Sequence, residues 1–387
     1  MNYLKITVCI LSLVLLSSCG TKEGSQAQPS QNLDQFRSFN IDMNAPQRKI
    51  TDLIESVRIF KLEETEESLL GNVFNVTVHD HMIVFPNTSE NTLYFFDDKG
   101  NFIRKLNKGG DGPEEYSSLW SYWFKGDTLK IYDNERPRVA FYSLQGDYLG
   151  AIKVPERANH VYENENGYWL DMSLRFRGDS TNYELISYDH RMQNPKYFLP
   201  FNQQVGFPIT TTTNSMTPYK EDMMLYKQIL NDTVYSIEGD ELEPLAHMNF
   251  GSEFLWSDEE MRDNPQGAMN SINESGKVWI IWPKIGERFI YLTYNISFQD
   301  SFDMLIDRVS GEQVKIDKRK TQEEKFGLMF NLWKNDEMLV GVNSLDLAEI
   351  LEELSEEQYS FEEGSSLDLI ESSENPAMMW VKFKSLD

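Results

Sequence analysis

The chain has 387 residues, with 36 Lys+Arg against 62 Asp+Glu and a formal net charge of -26. That acidity repels polyphosphate and argues against nucleic acid as a partner. With 40% hydrophobic and 13% aromatic residues the chain is not disordered overall, and two cysteines cannot build a disulfide scaffold or a multi-cysteine zinc site.

In chain order, the first element is an address. Lys5 precedes an apolar run from Ile6 to Leu16. As a helix this run spans about 16 Å, well short of a hydrocarbon core of about 30 Å. Residues 1–18 therefore read as a signal peptide and not as a membrane anchor. The run ends in Leu16-Ser17-Ser18-Cys19, which resembles the lipobox of bacterial lipoproteins. That resemblance implies lipidation of the Cys19 sulfur, cleavage just before it and acylation of the new amino group. Cys9 would leave with the signal, so stability would rest on packing alone. Several acyl chains give lasting membrane attachment where one is marginal.

Residues 19–38 are polar, with Gly, Ser, Gln and Pro, and read as a flexible tether. Lys22-Glu23 resembles the charged surface-export signals of Bacteroides-type lipoproteins, and a chance charged pair explains it equally well. The expected location is the cell envelope, anchored at the outer membrane and facing the periplasm or the surface.

Residues 39–387 alternate apolar and polar in short runs broken by Gly, Asn and Asp, the signature of strands and turns. Asn91–Leu106 and Pro137–Val154 align as strand, polar turn ending in Gly, strand. Gly100, Gly146, Met192 and Gly239 recur every 46 or 47 residues, and Gly311 follows after a longer insertion. Repeated hairpins at this spacing predict the outer halves of four-stranded propeller blades. Inner halves are expected at Val73–Phe85, Ser121–Tyr132, His160–Leu170, Thr210–Leu225 and Lys277–Leu292. Phe330–Val342 and Met378–Lys384 then form a sixth blade, closed by the N-terminal strand Val57–Leu62. The fold class is all-β, a six-bladed β-propeller of antiparallel blades; five or seven blades are the alternatives.

Two insertions read as helical. Ser257-Asp258-Glu259-Glu260 has the form of a capping box, with Ser257 as cap and a helix running to about Met269, broken or kinked at Pro265. Leu345–Gln358 carries Leu347, Ile350, Leu351 and Leu354 on one stripe, so that helix should lie on the propeller. Ser344–Glu374 holds eleven acids and no Lys or Arg, so much of the acidity is local.

Asn91–Tyr116 (NTLYFFDDKGNFIRKLNKGGDGPEEY) resembles the signature of the six-bladed propeller lipoproteins of Bacteroides-type bacteria, relatives of NHL-repeat propellers. Asn231–Gly251 and Ser56–Val73 resemble a later and a leading segment of the same family. The resemblance implies a propeller fold and an exported lipoprotein. It implies no settled activity and carries over no catalytic residue.

The sharpest local motif is the loop Gly110-Asp111-Gly112-Pro113-Glu114-Glu115-Tyr116. Its glycines suit unusual backbone torsions and Pro113 suits a turn. It reads as a crossover between blades with Tyr116 packed inward, or as a ligand loop at the rim. It is no phosphate loop, because no Lys-Ser/Thr follows. Trp120 and Tyr122 share one strand face in Trp-Ser-Tyr-Trp-Phe, as core or as a sugar-stacking platform. Arg175 and Arg177 could clamp an anion at the channel or pair with Asp171 and Asp179. Chance is the better account of Arg177-Gly178-Asp179.

The histidines read as scattered on the surface; only His79 and His81 are close, sharing a face if extended. No catalytic metal site or hydrolase elbow follows from the pattern. No cofactor is expected; calcium stays open, since acid-rich loops can bind it. The expected function is a non-catalytic binding or scaffold module for a glycan, a peptide or an envelope protein. The alternative is a lyase or glycoside-active enzyme with its site at the channel mouth.

Overall fold

The computed structural model describes residues 32–71, 73–119, 121–173, 182–201, 215–220 and 223–386. Period-two alternation gives the strands buried faces, and they assort into six sheets, the blades of a six-bladed β-propeller. Blade 1 runs Thr77–His79, Met82–Asn87, Thr92–Asp97 and Phe102–Asn107. Blade 2 runs Ser121–Lys125, Thr128–Asp133, Arg138–Ser143 and Tyr148–Lys153. Blade 3 runs His160–Glu163, Tyr168–Asp171, Asn182–Tyr188 and Lys196–Phe201. Blade 4 uses Met216–Lys220, Met223–Lys227, Thr233–Glu238 and Glu241–Asn249. Blade 5 uses Ile280–Ile285, Phe289–Asn295, Ser301–Asp307 and Gln313–Asp317.

The 46-residue rhythm has a physical cause. Gly100, Gly146, Met192, Gly239 and Gly311 all have positive φ, at 83°, 92°, 55°, 56° and 81°. Each closes the outer hairpin of its blade in the left-handed region, where glycine is at home. Met192 adopts it too, so the repeat survives a missing glycine.

Blade 6 combines both ends of the chain. Met329–Lys334, Glu337–Val342 and Ala377–Phe383 are followed outward by Ile54–Lys61. The last two pair antiparallel, with Val57 opposite Val381 and Phe60 opposite Met378. The closing strand starts three residues earlier than the alternation predicts.

Three short parallel strands were not legible in the sequence. Arg37–Asn40, Gln47–Lys49 and Tyr359–Phe361 add to the outer edges of blades 4, 5 and 6. Each has three or four residues, too few to show a period.

The helices depart in detail from the sequence reading. Asp258, not Ser257, caps Glu259–Asp263 by accepting from the Glu260 N–H; the Ser257 hydroxyl instead donates to the Phe254 carbonyl. Pro265 opens a second helix, Pro265–Ser275, capped by Asn264, because a first-turn proline costs no hydrogen bond. The later helix is Ser344–Glu353, shorter than expected, and its stripe is buried at Leu347, Ile350, Leu351 and Leu354. Among the described residues no helix is long and apolar enough to cross a membrane.

Core packing lies in the seams between blades. Phe60, Met378 and Trp380 meet Phe85 and Phe96 between blades 6 and 1. Phe95 and Leu106 meet Ile131 and Tyr142 between blades 1 and 2. The seam between blades 3 and 4 holds Trp169, Leu185, Met216, Met224, Tyr226 and Ile237, together with a buried polar cluster.

Candidate functional site

The seams leave a cavity of about 1180 Å³ along the propeller axis. Its walls include inner-strand residues of five blades, among them Thr77, Ser121, Met216, Trp282 and Phe330. Asp171 and Ser173 add the wall of blade 3. This volume exceeds the usual range for small-ligand pockets, roughly 300–1,000 Å³.

Two lysines set the chemistry of the wall. Lys227 ends the second strand of blade 4 and extends its amine to 4.8 Å from the ring centre of Trp282 in blade 5. The Nζ atom is buried and has no hydrogen-bond partner among the described residues. Burial pushes this amine down to about 7, with Asp232 opposing only through space. Lys284 lies two residues beyond Trp282, so strand alternation puts both on one face. Burial alone pushes Lys284 down to about 8. Lysine charge is thus poorly compensated inside a chain of net charge -26.

Flat faces border the same wall. Trp333 donates from Nε1 to the Lys284 carbonyl at 2.8 Å. Phe330 stacks on Tyr291 with ring centres 4.1 Å apart. Trp282, Phe330 and Trp333 all border the cavity.

The hairpin end of the channel is tied to the N-terminal segment. Tyr219 donates its hydroxyl to Asp34 at 3.0 Å, and Lys220 forms an ion pair with the same carboxylate. Arg308, nearly inaccessible, donates to the Gly286 and Glu287 carbonyls at 2.5 and 3.0 Å, to Tyr219 and to the Leu33 carbonyl. Tyr219, Lys220, Gly286 and Glu287 also border the cavity.

A second polar group sits in the seam of blades 3 and 4. Ser215 donates to Asp171 Oδ2 at 2.5 Å, and His160 Nδ1 lies 3.5 Å from that oxygen and 3.3 Å from the serine. Burial works to raise the Asp171 carboxyl, but His160 and Ser215 outweigh it and hold it below the usual range. Serine and aspartate approach the same ring nitrogen. A nucleophile relay needs them on opposite nitrogens, so this group is no acyl-transfer triad. Among the described residues no group of three His, Cys, Asp or Glu side chains could hold a metal ion.

The sequence pattern of one family, described as a domain of unknown function, DUF4934, matches residues 37–382. The chain belongs to the DUF4934 family. A search of curated proteins finds no match. Among solved structures, the chain resembles a Bacteroides fragilis protein described as exported, at 15% identity and a TM-score of 0.71, covering 91% of this chain and 100% of that one. It also resembles a DUF4221 family member from Bacteroides vulgatus, at 12% identity and a TM-score of 0.49, over 86% and 97% of the two chains. A virginiamycin B lyase from Staphylococcus aureus matches at 11% identity and a TM-score of 0.39, over 73% and 85%. At these identities the likeness carries the fold alone.

The residues singled out in this DUF4934 chain fall in several places. Cys19, Trp120, Arg175 and Arg177 lie outside the described residues. Tyr122 borders the cavity but is itself buried, its hydroxyl donating toward the Asn75 and Val84 carbonyls at 2.8 and 2.9 Å. The Gly110–Tyr116 loop wraps an arginine. Arg136 donates to the carbonyls of Gly110, Gly112 and Glu115 at 2.9, 3.1 and 2.7 Å, and to the fully buried Asp133. Arg138 adds a bond to the Pro113 carbonyl at 2.8 Å. Tyr116 is buried, and its hydroxyl donates to the Asn91 carbonyl at 2.7 Å.

Neither Gly110 nor Gly112 has positive φ. What they provide is room for the Glu115 side chain. A Cβ at Gly110 or Gly112 would lie 2.1 or 2.9 Å from the Glu115 carboxylate, which accepts the Gly112 N–H.

The histidines also correct the sequence reading. Asp80 turns the chain between His79 and His81, so the two do not share a strand face. His79 stacks on Phe124 and His81 pairs with Asp98. His160 is buried, not on the surface.

Sequence reasoning missed Lys227, Lys284 and Trp282. An alternating Trp-x-Lys on an inner strand was the available signal, and a lysine at the end of a Met-Leu-Tyr strand was another.

Proposed function

We propose that the channel binds an anionic ligand bearing a flat ring, and that the protein is an exported, lipid-anchored envelope component. The single observation carrying the binding reading is Lys227: a buried amine over the Trp282 ring with no acceptor among the described residues. A buried cationic group costs free energy until an anion meets it, so the vacancy favours carboxylate, sulfate or phosphate. Trp282 offers a face for a sugar or aromatic ring, and Lys284 adds a second cation on that strand face. The volume accommodates several sugar units. A glycan carrying uronic acids is the first candidate. The envelope location rests on the signal and Cys19 pattern and on the description of the Bacteroides fragilis protein as exported.

The experiment is a binding titration of the chain without its leader against acidic and neutral oligosaccharides and acidic peptides, followed by tryptophan fluorescence. Acidic sugars should bind, more weakly in high salt and as pH rises from 6 to 9, when the lysines lose charge. Lys227→Met should weaken binding at least tenfold. Equal binding of neutral sugars, or indifference to Lys227→Met, would overturn the reading.

A second reading has one specific support. An amine near neutrality is also a competent base, so the same channel could serve a lyase that removes a proton beside a carboxylate. New ultraviolet absorbance from an unsaturated product would distinguish turnover from binding.

A further inference from the structure

The cavity wall holds Lys227 and Lys284, and it is the Lys227 amine that rests against a ring. Lys227 Nζ is shut from solvent, lacks a hydrogen-bond partner among the described residues and rests on an indole face. By contrast Lys105 and Lys153 on outer strands are exposed. A desolvated amine beside an apolar surface keeps its lone pair available, the condition for attack on a carbonyl carbon.

We infer that Lys227 captures its ligand covalently and reversibly, as an imine with an aldehyde or ketone carried by an anionic, ring-bearing molecule. This rests on the channel being the binding site proposed above. The amine lone pair attacks the carbonyl carbon, a C–N bond forms and the carbonyl electrons move to oxygen. Proton transfer from nitrogen to oxygen gives a carbinolamine. Water then leaves with the carbonyl oxygen and both nitrogen protons, and a C=N bond forms. Nothing is oxidised or reduced, and no co-reactant is needed. Water entering the channel reverses the step. Trp282 covers one side of the amine, and Lys284 supplies positive charge on the Trp282 face for the ligand's anion. The low-lying value of about 7 agrees with an amine substantially neutral in ordinary buffers.

The test uses pyridoxal 5′-phosphate, an anionic flat-ring aldehyde, at pH 7 with borohydride reduction and peptide mass mapping. Lys227 should carry at least tenfold more reduced adduct than Lys105 or Lys153. Lys227→Arg keeps a cation but cannot form an imine, so it should lose the adduct whatever its affinity for acidic sugars. Lys227→Met should lose both. Circular dichroism and a thermal midpoint would establish that each variant is folded. Label spread evenly over exposed lysines, with acidic-sugar binding still dependent on Lys227, would overturn the covalent step and leave the binding reading standing. If neither labelling nor binding depends on Lys227, both fall.

Discussion

Asp34 and Lys220 form an ion pair at the mouth of the channel, 186 positions apart in the chain. The pair fastens the later part of the segment read as a tether, residues 19–38, to the first strand of blade 4. Burial works to raise the Asp34 carboxyl, but hydrogen bonds from Lys220 and Tyr219 outweigh it and hold it low. Lys220 is substantially exposed, so the ion pair by itself contributes little, about 1 kcal/mol at most. Asp34→Asn should therefore change the urea midpoint only slightly. Arg308 is different, because it is buried and satisfies the Leu33, Gly286 and Glu287 carbonyls together. Arg308→Ala should destabilise by roughly 2–4 kcal/mol through those orphaned acceptors. If the two variants lose equal stability, this division is wrong.

Lys227 and Lys284 make stability depend on pH in a stated direction. Their amines sit near 7 and 8 in the folded chain and near about 10.4 once unfolded. Between those values the unfolded chain binds more protons, so stability rises with pH. Below about 7 both states are protonated at Lys227 and the penalty is fully present. Above about 10 the sign reverses, because buried tyrosines such as Tyr116, pushed up to about 12, ionise more readily when unfolded. Urea midpoints should climb from pH 7 to pH 9. Lys227→Met should be more stable than the parent at pH 6, by on the order of 2–4 kcal/mol, and should show a shallower climb. A parent curve flat from pH 7 to 9 would refute the assignment.

The blades were readable because their cause is local. An outer hairpin needs a left-handed turn residue, and Gly100, Gly146, Met192 and Gly239 mark it every 46 or 47 residues, with Gly311 after an insertion. Closure of blade 6 was readable because Ile54–Lys61 alternates like any strand. The channel was not readable. Lys227 is unusual only because Trp282, 55 positions later, folds over it, and nothing beside Lys227 in the chain signals that. Arg136 hid for the same reason: its partners are carbonyls of Gly110, Gly112 and Glu115, and a backbone acceptor leaves no mark in a sequence.

Arg136 offers a test of the two readings of the Gly110–Tyr116 loop. The loop wraps the guanidinium, and none of its seven residues borders the cavity. Arg136→Ala would take a donor from the Gly110, Gly112 and Glu115 carbonyls and leave Asp133 with Arg138 as its neighbouring cation, beside the hydrogen bonds from Ser117. A loss of roughly 3–5 kcal/mol is expected, as for one partner removed from a buried pair. Binding of acidic sugars by the fraction still folded should be unchanged. Lost binding with an unaltered thermal midpoint would make the loop a ligand element.

Gly100 and Gly311 separate backbone strain from crowding. They occupy equivalent hairpin turns with φ of 83° and 81°. Alanine at either meets the same left-handed strain, about 1–2 kcal/mol. A Cβ at Gly311 meets nothing within 4 Å, whereas at Gly100 it would lie 1.8 Å from the Lys61 carbonyl oxygen. That oxygen belongs to the strand closing blade 6, and backbone cannot swing away as a side chain can. Gly311→Ala should therefore cost only the strain. Gly100→Ala should cost clearly more, because it pushes the closing strand off blade 1 at the Gly100 carbonyl, which accepts the Glu63 N–H. Equal losses in the two variants would mean that the blade-closing contact is slack, and that the glycine rhythm reflects turn geometry alone.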